Sequence, residues 1–329
     1  KELELATRAA GLKFGVSSHR ANNWKYYVID SAFDNSDPTF EGLYGPNRPQ
    51  GQPESEAFVE DWFARTREII DRFHPDLLWF DIGWHREPFA AYRPRVAADY
   101  YNDALAHDYE PVLNYKKCFP DGTAVFDIER GKLDGMREEA WQTDTSVSYN
   151  SWCHIENQRY RTSTSLIHDL IDIVSKNGNL LLNVGPRADG VIPDKQQAIL
   201  RAMGAWLAAN GEAIYGTRPW RVVGEGPTGT PTGQLQEEMQ AAYTARDIRF
   251  TRKEGSLYVF VLVPPEDGVV RIESLGRDRS VMDGSMASVT MLETGESLSW
   301  EPSASALSVK LPARLPGGHA WVLEVRGVQ

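Results

Sequence analysis

Cysteine is nearly absent. Cys118 and Cys153 are the two in 329 residues, too few for a disulfide framework and at a spacing that matches no zinc signature. There is no His-Glu-x-x-His pair and no Walker loop, so zinc-protease and P-loop chemistry are excluded. Basic charge is also short. Lys and Arg total 35 against 46 Asp and Glu, a net charge of -11, which argues against a nucleic-acid groove and offers no basic membrane patch. No apolar run is long enough to span a bilayer. The opening Lys1-Glu2-Leu3-Glu4-Leu5 shows neither initiator Met nor signal peptide and resembles the inside of an amphipathic helix. Localisation is therefore unknown, and the apolar face of that helix is left for preceding residues or a partner to cover.

What the chain does have is aromatic residues, 10 Trp, 13 Tyr and 12 Phe, which suit sugar faces and large cores equally. The stretch DLLWFDIGW, Asp76 to Trp84, is an apolar run bounded by Pro75 and Gly83, the pattern of a buried parallel strand. Asp81 stands where that strand ends, and strand ends are where a (β/α) barrel keeps its chemistry. A cap or an Arg partner explains a single such Asp about as well. The rhythm repeats on both sides. Strand patterns at 12–18, 111–115, 141–146 and 179–184 alternate with helical patterns at 54–73, 94–106, 165–176 and from Pro193 to Gly211, which implies a parallel sheet or barrel. Residues 30–53 form a Gly/Pro/Asp-rich loop, functional or disordered at that length.

The pattern changes after Pro219-Trp220. Apolar segments at 256–263, 269–272, 288–292, 306–311 and 319–325, joined by turn residues, predict an antiparallel β-sandwich. The domains expected are 1–220 and 221–329. Residues 224–229 match Gly-x-Gly-x-x-Gly, but no helical pattern follows, so 224–233 is expected to be a linker.

Ile173 to Trp220, containing KNGNLLLNVGPRADG, resembles the end of the catalytic domain of α-L-fucosidases of glycoside hydrolase family 29. LLWFDIGW, FDIERG (Phe126 to Gly131) and WQTDTS (Trp141 to Ser146) resemble the same family in the same order. The resemblance implies an α/β fold, a (β/α)8-like, TIM-type barrel followed by the family's β-sandwich. It implies a retaining exo-α-L-fucosidase, able also to transfer fucose, with Asp81 as nucleophile and Glu129 as acid/base. Glu138 and Glu139 are the other acid/base candidates. Retaining chemistry would place the two carboxyls about 5–5.5 Å apart. Trp79 and Trp84 are expected at the sugar, Trp152 against its C5 methyl, and His19 and Lys116 at its hydroxyls; Lys116 stands where relatives have Arg. Asn183 and Arg187 are expected to be structural, and Gln142, Thr143 and Asp144 to alternate in direction. No cofactor or metal is implied, and the partners expected are fucosylated glycans or glycosides, with no nucleic acid and no membrane.

One departure bears on the fold. The family's first two strand–helix units, with an HWG-type stretch and a paired-histidine stretch, have no match here, so the barrel is expected to be N-terminally incomplete. Further N-terminal sequence or a homo-oligomer would then cover its edges. The alternative function is a non-catalytic, binding remnant of a fucosidase; a different hexoside specificity on the same scaffold is a third.

Overall fold

The structure, a computed structural model, describes residues 1–279 and 287–327. The backbone forms two compact units, Lys1–Asp127 and Ile128–Gln329. In the first, helix α1 (Glu2–Ala9) precedes strand β1 (Gly15–Ser18), and the short helices α2 (Asn23–Tyr26) and α3 (Glu41–Tyr44) lead to α4 (Glu56–Phe73). Then come β2 (Leu77–Phe80), α5 (Arg93–His107), β3 (Val112–Tyr115) and the start of β4 (Val125–Glu129). Helix α4 begins where the Ser55 hydroxyl accepts the Phe58 N–H at 3.3 Å and ends at His74, whose φ of 42° is left-handed, before Pro75 prevents continuation. Its buried residues Phe58, Val59, Trp62, Phe63, Thr66 and Ile70 recur at helical spacing. All but Thr66 belong to one core with Leu78 and Phe80 of β2. Residues 30–53 are not one irregular loop: they contain two 3-10 turns and α3. Arg48 braces them, donating to the carbonyls of Pro46 at 2.9 Å and Trp24 at 2.7 Å.

The second unit holds the end of β4, then β5 (Trp141–Ser146), α6 (Ser163–Ser175), β6 (Gly178–Asn183) and α7 (Asp194–Asn210). In the first unit β1, β2, β3 and the start of β4 pair in parallel in sequence order, and in the second β5 pairs in parallel with β6. The remaining strands are β7 (Arg218–Glu225), β8 (Ile248–Lys253), β9 (Ser256–Val261), β10 (Val269–Ile272), β11 (Ser288–Met291), β12 (Trp300–Pro302), β13 (Leu307–Lys310) and β14 (Trp321–Arg326). They make an antiparallel five-stranded sheet, β11-β14-β9-β8-β7, and a three-stranded one, β10-β13-β12. Strand β9 shows why its sequence is apolar throughout instead of alternating. Leu257, Val259 and Val261 face the sandwich core with Val270, Ile272, Leu307 and Val309, whereas Tyr258 and Phe260 pack with Leu166, Ile171 and Trp206 of the helices. Both faces of that strand are dry.

Two expectations are corrected. The supposed linker 224–233 begins as the end of β7, and β8 is a strand that carried no sequence signal strong enough to be recognised. Buried Arg249 alternates with Ile248 and Phe250 on β8, which breaks the apolar pattern.

Candidate active site

The register of the parallel strands sets out the site. Ser18 of β1 pairs with Phe80 of β2, Phe80 with Tyr115 of β3, and Tyr115 with Phe126 of β4. The residues one step further on, His19, Asp81, Lys116 and Asp127, therefore stand in a row, the first three just past the C-terminal ends of β1, β2 and β3 and Asp127 within β4. His19 Nε2 lies 2.9 Å from Asp81 Oδ2, Lys116 Nζ 2.8 Å from Asp81 Oδ1 and 4.0 Å from Asp127 Oδ2. Burial by itself would favour the neutral acid at Asp81, but the His19 hydrogen bond and the Lys116 ammonium outweigh it and hold that carboxyl below the ordinary carboxylate value. A carboxylate whose side chain is only 16% exposed is thus kept ionised and accessible.

Trp79 lies two residues before Asp81 and so on the same strand face. Its indole N–H donates to Asp127 Oδ2 at 2.9 Å, the Lys116 ammonium sits 5.3 Å from its ring, and His19 meets it edge-on at 6.2 Å. Gly83 then turns the chain at φ 100°, where a Cβ would lie 2.7 Å from the Ala21 carbonyl carbon; no other residue fits that approach. Trp84 is corrected. It is 1% exposed, stacked on Phe80 at 4.2 Å and on Phe119 at 5.2 Å, and is therefore core behind the strand end, without a face to offer a sugar.

In the second unit Glu129 is the last residue of β4 and is partly exposed. Arg130 follows at φ 44°, its N–H bonded to the Asp144 carbonyl at 2.8 Å and its guanidinium 4.1 Å from the Trp152 ring. Asn183 donates to the Trp152 carbonyl at 2.8 Å and to Ser146 Oγ at 3.2 Å, and Arg187 pairs with Asp189 in a turn at 2.6 Å. Both do structural work. Gln142, Thr143 and Asp144 are all buried, because neither face of β5 meets solvent. Glu138 and Glu139 precede β5 and so belong to the N-terminal strand ends, opposite to Glu129; Asn177 clamps the Glu138 carbonyl there at 2.8 Å.

Asp127 escaped the sequence reading, although its two-residue offset from Glu129 puts both on one face of β4. That spacing was the available signal. Among the described residues, His74, Asp103 and His107 are a group that could hold a metal ion. They lie where α4 and α5 end, before β2 and β3, away from Asp81. Asp103 already bonds His74 Nδ1 at 2.9 Å and the Tyr109 hydroxyl at 2.8 Å, and His107 Nδ1 lies 3.1 Å away.

Residues 1–212 match the family model described as alpha-L-fucosidase, and residues 240–326 match the alpha-L-fucosidase C-terminal domain. The chain belongs to the alpha-L-fucosidase family. It is 30% identical over 329 aligned residues to the tissue alpha-L-fucosidase of Bos taurus, covering 94% of this chain and 63% of that protein. It is 28% identical to the Homo sapiens tissue enzyme, again covering 94% of this chain and 63% of the relative. The chain thus spans less than two thirds of these relatives. Among solved structures, the Thermotoga maritima alpha-fucosidase in complex with fucose superimposes with a TM-score of 0.70 at 27% identity, covering 98% of this chain and 66% of that one. The same enzyme with a mechanism-based inhibitor gives 0.71 at 27% identity, covering 98% and 67%.

Proposed function

We propose that the protein is a retaining exo-α-L-fucosidase that removes terminal fucose from fucosylated glycans or glycosides, with residues 1–220 as catalytic barrel domain and 221–329 as sandwich domain. The observation that carries the reading is Asp81, held ionised between His19 and Lys116 at the end of β2. In the first step a carboxylate oxygen of Asp81 attacks the anomeric carbon as the glycosidic C–O bond breaks, and Glu129 gives its proton to the departing oxygen. In the second, Glu129 takes a proton from water, the hydroxide oxygen bonds to the anomeric carbon, and the ester to Asp81 breaks. An alcohol in place of water gives transfer. His19 at the surface and Lys116 enclosed beside Asp81 offer N–H donors to ring hydroxyls, Trp79 lends its face to the sugar, and Trp152 supplies an apolar wall for the C5 methyl. Neither carboxylate needs a metal for this chemistry.

Strand β1 has β2 as its one neighbour among the described residues, and Leu3, Leu5 and Leu12 are exposed beside it in the chain. Further chain or a second copy pairing there would close that edge.

The test is hydrolysis of a chromogenic aryl α-L-fucoside by the protein beside its Asp81→Asn variant. The variant is expected to stay folded and to lose at least ~100-fold in kcat. A folded parent without turnover would favour the non-catalytic reading, and an active Asp81→Asn would remove Asp81 from its role. The anomer first released, followed by NMR, decides between retention and inversion.

A further inference from the structure

The segment 233–237, which starts where the expected linker 224–233 ends, makes backbone contacts to Glu129 and the residues after it. The Leu235 N–H bonds the Glu129 carbonyl at 2.8 Å, the Glu237 N–H bonds the Arg130 carbonyl at 3.0 Å, and the Gly233 N–H bonds the Lys132 carbonyl at 3.0 Å. Residues 129–132 are thereby held, bond by bond, by residues 233–237. The fit is close, since a Cβ on Gly131 would lie 1.8 Å from the Gly233 carbonyl oxygen.

Two non-glycine residues in this contact have positive φ, Arg130 at 44° and Leu235 at 60°. Leu235 is 64% exposed, so no burial of its side chain compensates that conformation. Backbone of this kind persists where the surroundings impose it. The imposing group is Glu237, 8% exposed. One of its carboxylate oxygens accepts from Arg130 Nη1 at 2.7 Å; the other accepts from Arg161 Nη1 at 3.1 Å and from the Thr145 hydroxyl. Arg130 is also the residue whose guanidinium lies over Trp152.

Resting on the assignment of Glu129 as acid/base, we infer that Glu237 is a positioning residue for that proton transfer. It clamps Arg130 by side chain and backbone, and so fixes where the carboxyl of its neighbour Glu129 stands relative to the departing oxygen. Displacement of such a group by about an ångström costs rate steeply, and the loss falls on the step that needs the proton.

The dependence on leaving group reads this out. A dinitrophenyl α-L-fucoside leaves without protonation, whereas an alkyl or disaccharide fucoside does not. Glu237→Gln in the full protein is expected to lower kcat/KM for the alkyl fucoside by roughly tenfold or more and for the dinitrophenyl fucoside by less than about threefold. Glu237→Asp keeps the charge between Arg130 and Arg161, guards against a folding failure, and is expected to show the same asymmetry at smaller size. Equal losses on both substrates in the folded variants, or none on either, overturn the inference. Glu129→Ala separates the two levels. If it lacks the leaving-group dependence, the assignment of Glu129 falls; if it has the dependence and both Glu237 variants lack it, the positioning role falls.

Discussion

Two groups of charges in this chain are built from the same residue types and are set up for opposite ends. At the ends of β1 to β3, His19, Asp81 and Lys116 form a short row whose members range from 56% exposed at His19 to 5% at Lys116. Behind α6 the charges are sealed. Asp172, 0% exposed, receives Lys176 Nζ at 2.8 Å and Arg249 Nε at 2.6 Å. Asp169 receives Lys132 at 2.9 Å and Arg161. Asp172 has two cations and no exposed surface, so it can only hold elements together. Asp81 also has two partners, the Lys116 ammonium and the His19 ring, but His19 is at the surface, and the carboxylate keeps an open side. Counting ion pairs does not separate site from scaffold; the exposure of one partner does.

The largest expected effect tests the sealed side. Asp172→Asn leaves Lys176 and Arg249 buried without their counter-charge, which should cost about 3–5 kcal/mol in urea denaturation. Asp81→Asn should cost less, because Asp81 is 16% exposed against 0% for Asp172, and Asp127 remains 4.0 Å from Lys116. Equal losses would erase the distinction. Acid acts in the same direction. Burial pushes the Asp169 and Asp172 carboxyls up, but their cationic neighbours outweigh it and hold both below the ordinary value of 3.8. A folded pKa below the unfolded one gives stability that is present above 3.8 and lost as pH falls through the folded value. Unfolding midpoints measured from pH 6 downward should therefore hold to about the carboxylate range and fall beneath it. In Asp172→Asn that acid slope should be shallower.

Tryptophans give a second version of the comparison. Trp84, enclosed by Phe80 and Phe119, should cost about 3–5 kcal/mol as Trp84→Ala. Trp152, partly exposed and pinned through Arg130 and Asn183, should lose little stability as Trp152→Ala, with the penalty appearing in KM for the fucoside. Thermal melts and steady-state kinetics on the pair check both.

The same pair shows what the sequence can carry. DLLWFDIGW determines the strand, its end and the turn, since Pro75, the apolar run and Gly83 are local signals. It cannot tell Trp79 from Trp84: both flank Asp81, and which one is enclosed depends on Phe119, thirty-odd residues away. Asp127 was obscured for a related reason, being matched to its neighbours by strand register. The 233–237 contact with Glu129 was less legible still. It rests on backbone N–H groups and two left-handed residues, and the sequence GQLQE at 233–237 does not say what that segment touches.

The smallest effect expected sharpens the description of the strand-end row. Both His19 and Lys116 hold Asp81 below its ordinary value against the opposing effect of burial, and in the proposed mechanism Asp81 attacks as the carboxylate. Removing either partner raises that pKa, so the acid limb of kcat/KM for an aryl fucoside should move to higher pH. The two should not move it equally. His19 is more than half exposed, and in His19→Ala water can enter and donate to the same carboxylate oxygen. Lys116 is enclosed, and Lys116→Met puts a thioether where no water replaces the ammonium. The expected order is a clear upward displacement for Lys116→Met and a smaller one for His19→Ala. The reverse order would mean that the exposed partner sets the charge state of Asp81, and that enclosure of Lys116 serves Asp127 instead.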